Sequence, residues 1–160
     1  MTQMAHDIHC IALRQLETAL CLYRDEKDYY SVITLAGAAE EVFGKLLKED
    51  NPENALDSIK KGGAAIHEAL FEEDIPEKEI SDRANWVRNL LKHWSPSQPK
   101  VFEFDAPEEA KDMLSRAIDN YFVLTGSLTR AMERFQDMHV QDNPEIRQCF
   151  NVDGGSDLCR

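Results

Sequence analysis

Hydrophobic residues recur along the chain at three- and four-residue steps, the repeat of amphipathic helices. The longest two-residue alternation is only Val101 to Asp105. A first helix is predicted from about His6 to Arg24, with Ile8, Ala12, Leu16, Ala19, Leu20 and Tyr23 along one side. A polar break at Asp25 to Asp28 leads to a second helix, about Tyr29 to Lys48. Its apolar face runs from Val32 and Ile33 through Ala36, Ala39 and Phe43 to Leu47, wide enough to require more than one neighbouring helix. Asn51-Pro52 signals the start of a third, weaker helix. Gly62-Gly63 is expected to interrupt it, because two successive glycines cost about 2 kcal/mol of helix propensity relative to alanine.

A fourth helix is predicted after Pro76, running to about His93 with Ile80, Ala84, Val87, Leu91 and Trp94 as its seam; Pro96 and Pro99 end it. The last helix carries the strongest start signal. Asp105 caps it, Pro107 lies in the first turn and Glu108 completes a capping-box spacing. Its seam continues from Ala110 through Leu114, Ala117 and Tyr121 to Phe135 and Met138, with Gly126 as the place for a bend. Hydrophobic residues thin out from Val140 onward. The expected fold is all-α: an antiparallel helical bundle of four main helices plus a short irregular one. It forms a single domain over residues 1–139, with a flexible tail over 140–160.

Length and composition fit this picture, since 160 residues with 42% hydrophobic content suit one globular core. The formal charge of −12 changes it, because such a balance repels phosphate polyanions at long range and excludes a general nucleic-acid coat protein. No apolar run approaches the ~20 residues needed to cross a bilayer, and Met1 to Cys10 has neither a basic flank nor a hydrophobic stretch. Cys10, Cys21, Cys149 and Cys159 form no CxxC pair, and reduced thiols in a cytoplasm are the simpler reading. His6, His9 and Cys10 have helical ligand spacing, but no nearby acidic or cysteine partner is expected to complete a four-ligand site, so neither metal nor cofactor is predicted.

Charge is uneven in one stretch. From Arg83 to Phe102 there is no acid, while Arg83, Arg88, Lys92 and Lys100 supply four cations and His93 lies among them; all 30 acids fall outside. Such an island focuses an anion locally. A plainer reading is a solvated cationic helix face. Glu40 is a second anomaly: it falls at the centre of the second helix's apolar stripe, where a lone carboxylate is costly to bury and needs a cation, for which Arg88 is the natural candidate. Glu41 shares a face with Lys45 and Lys48 and reads as surface.

Within the island lies Arg88-Asn89-Leu90-Leu91-Lys92-His93, an arginine, a polar residue, three more residues and a histidine, just before the last long helix. In this it resembles the HEPN superfamily of helical ribonucleases and nucleic-acid-binding modules. The stretch Tyr29 to Glu41, rich in small residues and ending in acids, is similar to the second bundle helix of such domains, and the resemblance covers about Tyr29 to Phe135. A second copy of the spacing, Arg134 to His139, places the core-seam Phe135 after its arginine and lies at the end of the last helix, so the Arg88 copy is preferred. Toxin-type members often have tyrosine two residues past the histidine, where this chain has Ser95.

The resemblance implies metal-independent RNA cleavage in a cleft between two copies of the chain. His93 would be general base toward a ribose 2′-hydroxyl, because an imidazole titrates near working pH. Arg88 would stabilise charge on the phosphate, with Asn89 orienting it and Glu40 and Lys92 in support. Arg83 and Trp94 are the candidate substrate contacts, although Trp86 and Trp94 equally suit core or interface anchoring. On an unbroken helix residues five apart point about 140° from each other, so Arg88 and His93 converge only if the helix frays near Ser95 or a second copy intervenes. The alternative functions are a non-catalytic helical dimerisation or adaptor module, served by a protein partner, and a small-molecule-binding bundle.

Overall fold

The computed structural model describes residues 5–49 and 53–142, and every regular element in them is an α-helix. The first is α1, Ile8–Arg24, whose N-cap Asp7 accepts from the Cys10 amide at 2.9 Å. It packs along α2, Tyr29–Glu49, through Ala12, Leu16, Ala19 and Leu20. The first turn of α2 is held by Asp28, whose carboxylate accepts from the Ser31 amide at 3.1 Å and from the Ser31 hydroxyl. Helix α2 is the centre of the molecule, in contact with α1, α5 and α6, which is what its wide apolar face requires.

Three helices depart from the sequence pattern, each for a local reason. The third, α3, spans Ala55–Phe71 and runs straight through Gly62-Gly63. The expected interruption does not occur because Gly63 lets Ile80 of the next helix approach closely; a Cβ there would stand 3.1 Å from Ile80 Cγ2. Its N-cap is Asn54, which accepts from the Asp57 amide at 3.0 Å; Asn51-Pro52, read as the start, lies outside the described residues. No residue of α3 is buried, and Ile66, Leu70 and Phe71 are each exposed.

The single fourth helix is in fact two, α4 over Glu77–Ala84 and α5 over Trp86–His93, separated by Asn85. The Ala84 carbonyl and the Asn85 side chain both turn to Arg116, which donates to each at 2.9 Å and so satisfies a carbonyl that a continuous helix would satisfy internally. This break rotates α5 relative to the predicted seam. Ile80, Val87 and Leu90 are buried, whereas Leu91 and Trp94 are exposed.

The last long helix also divides. Helix α6 covers Ala106–Thr125, started as predicted by Asp105, which accepts from the Glu108 amide at 3.1 Å. Gly126, at φ 69°, ends it in the left-handed conformation, and α7 follows over Arg130–Asp142. Ala110, Met113, Leu114, Ala117, Ile118 and Tyr121 of α6 join Phe43 and the α1 and α2 residues in one core. Met132 and Phe135 of α7 close that core beside α1, while Met138 is exposed. The domain boundary expected after residue 139 falls inside α7, and the tail from residue 143 lies outside the described residues. Among the described residues no helix is long and apolar enough to cross a membrane.

Candidate functional site

The unusual chemistry of this fold gathers where α2, α5 and α6 meet, around a carboxylate. Glu40 is 4% exposed. Its Oε2 accepts from Arg88 Nη1 at 3.3 Å, the pair expected from the sequence, and its Oε1 accepts from Arg116 Nη2 at 2.9 Å. Arg116 is the residue that sequence reasoning missed. It is held from four sides: by Glu40, by the Ala84 carbonyl, by Asn85 Oδ1 and by the surrounding core of α6. One turn further along α6, Asn120 donates to the Glu40 carbonyl at 3.1 Å and accepts from the Ala55 amide at 2.7 Å, fastening α2 to the start of α3.

Arg88 reaches Glu40 by crossing α2 at Gly37. A Cβ at that position would stand 2.6 Å from Arg88 Cδ and 2.9 Å from Cγ, so the glycine is what admits the arginine stem. Arg88 Nη2 also donates to Asn89 Oδ1 at 3.3 Å. The Nε groups of both Arg88 and Arg116 are buried and make no protein hydrogen bond among the described residues, which leaves donor capacity unspent. Beside this cluster Glu41 pairs with Lys45 at 2.7 Å and Lys92 at 3.5 Å. The Lys45 ammonium bonded to Glu41, with Lys92 and Arg88 behind it, holds this carboxyl below its ordinary range. Glu40 and Glu41 are thus paired with four cations, Arg88, Arg116, Lys45 and Lys92, and Glu109 and Asp112 also lie within the electrostatic reach of Arg116.

The other predicted residues are not drawn into the cluster. His93 is the last residue of α5 and is exposed, and Trp94 is its C-cap, so the helix stays regular through the histidine and does not fray toward Arg88. With the Arg88 guanidinium bonded to buried Glu40, one chain does not bring guanidinium and imidazole together. Arg83 is exposed and neutralised by Glu79 at 2.6 Å. Trp94 is 45% exposed and donates from Nε1 to the Pro99 carbonyl at 2.9 Å. Trp86, also exposed, is edge-on to Phe102 and Phe104, and Phe104 to Tyr30, an aromatic row beside the acid-free stretch. Comparison with family models, with curated proteins and with solved structures finds no match to the chain.

Proposed function

We propose that this protein is a HEPN-like, metal-independent endoribonuclease whose cleft is formed by two copies of the chain, with α1, α2, the α4–α5 segment and α6 serving as the four main bundle helices. The observation that carries this reading is the sharing of one buried carboxylate, Glu40, by two guanidiniums. Arg116, the more deeply buried guanidinium, already neutralises the carboxylate, and Arg88 keeps 14% of its side chain exposed as the second cation. An RNA phosphate would be drawn to the Arg88 and Lys92 edge of that cluster. His93 supplies the base from the outer end of α5, and because it diverges from Arg88 in its own chain, it would meet the Arg88 edge of the partner copy. Asn89 and Lys92 flank the phosphate, and Trp94 offers a face to an unstacked base.

The purified dimer should cut single-stranded RNA in the presence of EDTA, leaving a 2′,3′-cyclic phosphate and a 5′-hydroxyl. His93→Ala is the decisive variant, because an exposed helix-terminal residue can be removed without unfolding the protein. Undiminished cleavage by a folded His93→Ala protein would remove the proposed site. A second reading, a non-catalytic association module, is favoured by the exposed Trp86, Leu91, Trp94 and Val101. It predicts no cleavage at all, together with a dimer in sedimentation that Trp86→Ser or Trp94→Ser converts to monomer.

A further inference from the structure

We propose that Asp7, His9 and Cys10, at the start of α1, form a binding site for one borderline transition-metal cation of the Zn(II) or Co(II) type. One ligating atom from each residue lies within 4.8 Å of the others. A carboxylate oxygen, an imidazole nitrogen and a thiolate sulfur together make a donor set suited to these ions and poorly suited to Mg(II) or Ca(II). Of the His6, His9 and Cys10 spacing, the structure gathers His9 and Cys10, with Asp7 in place of His6 as the third donor.

Two of the three donors are already oriented. The Asp7 carboxylate is fixed by its capping bond from the Cys10 amide and retains lone pairs beyond that bond. The His9 ring is stacked on Tyr121, with centroids 5.8 Å apart, and tilted against Phe43 at 5.5 Å, so the core itself sets its plane. Cys10 is exposed and its thiol rotates about one side-chain bond. Donors around a tetrahedral zinc stand about 3.5 Å apart, so these separations need close by no more than about 1 Å. The positive end of the α1 dipole opposes a cation, and the charge of the bound carboxylate and sulfur offsets this once the metal is held. Binding would form bonds from the metal to oxygen, nitrogen and sulfur, release the Cys10 thiol proton to solvent, and leave a fourth position for water.

The test uses the reduced, metal-stripped full chain titrated with Co(II). One equivalent should produce the intense visible bands of tetrahedral cobalt and a thiolate-to-metal charge-transfer band, both displaced by Zn(II). Cys10→Ala should abolish the charge-transfer band, and Asp7→Asn or His9→Phe should weaken binding by at least about tenfold. His9→Phe keeps a ring against Phe43 and Tyr121 while deleting the donor, so lost binding there is not lost folding. Zn(II) should also slow alkylation of Cys10, read by peptide mass, and leave the exposed Cys21 unaffected. Bands that persist in Cys10→Ala, equal protection of both cysteines, or no bands in the folded wild-type chain would each overturn the proposal. Because RNA cleavage is proposed to proceed in EDTA, neither outcome depends on the nuclease reading.

Discussion

Replacing Glu40 by glutamine preserves the shape of the side chain and removes only its charge, leaving Arg88 and Arg116 facing each other across a neutral amide. Deleting one partner of a buried ion pair costs about 3–5 kcal/mol, because the remaining charge stays desolvated. Arg116, at 7% side-chain exposure, feels that in full; Arg88, at 14%, recovers part of its solvation. The glutamine oxygen still accepts one hydrogen bond, worth about 1 kcal/mol, so the expected net loss is about 2–4 kcal/mol. That is a large part of the ~5–15 kcal/mol typical of a domain, and it should lower the unfolding midpoint by about 5–15 °C. Urea and thermal unfolding followed by far-ultraviolet circular dichroism measure it directly. The neighbouring Glu41→Gln is the internal control. Its partners Lys45 and Lys92 are more exposed, and a surface pair contributes at most about 0.5–1 kcal/mol. Equal effects from the two substitutions, or a Glu40→Gln loss below about 0.5 kcal/mol, would refute the idea that burial of this carboxylate organises the site.

Gly37→Ala should destabilise by about 1–2 kcal/mol despite alanine's better helix propensity, since its Cβ falls within 3 Å of the Arg88 stem; a more stable variant in urea titration would contradict the close approach. Asp28 is held below the ordinary aspartate range first by the Ser31 hydroxyl and then by its amide. A depressed folded-state pKa means the contribution is complete above the unfolded value of about 4 and is lost as pH falls through the lower folded value. The fall in stability with acid should therefore be shallower in Asp28→Asn, as checked by thermal unfolding across that window and by carboxyl NMR titration.

Much of the fold was legible because its signals are local. The caps Asp105 and Asn85-adjacent turns differ in this respect. Asp105 with Pro107 and Glu108 announces α6 within four residues, and the structure starts the helix there. The break at Asn85 has no such announcement: it depends on Arg116, 31 residues away, capturing the Ala84 carbonyl and the Asn85 side chain. The continuity of α3 through Gly62-Gly63 is likewise decided by a neighbour, Ile80, and not by propensity. Within the site, Glu40 was conspicuous because a carboxylate interrupts an apolar stripe. The matching signal on α6 was the polar pair Arg116 and Asn120, on the same buried side as Met113, Ala117 and Tyr121. A lone acid on one buried stripe calls for a base on another, and that rule would have found Arg116. The position of His93 relative to Arg88 followed from helix geometry alone, but whether α5 would fray depended on where its last turn ends, and it ends at the histidine.

The sharing of one carboxylate by two guanidiniums makes the two arginines unequal, and the inequality bears on function. If Arg88 is replaced by glutamine, Glu40 still holds Arg116 at 2.9 Å, and the pair that remains is charge-balanced. The loss should be about 1 kcal/mol, mostly the packing of the arginine stem over Gly37. If Arg116 is replaced instead, Glu40 keeps only the longer 3.3 Å contact, and the Ala84 carbonyl and Asn85 oxygen at the α4–α5 break lose their donor. Unsatisfied buried acceptors cost about 1–3 kcal/mol each, so Arg116→Gln should lose at least about 3 kcal/mol. Parallel urea titrations of the two variants give the order. Arg116 is then the cation that folding needs and Arg88 the one that folding can spare, as expected of a guanidinium kept to meet a phosphate. A reversed order would make Arg88 the structural partner of Glu40 and would leave the α5 edge without a spare guanidinium to meet an RNA phosphate.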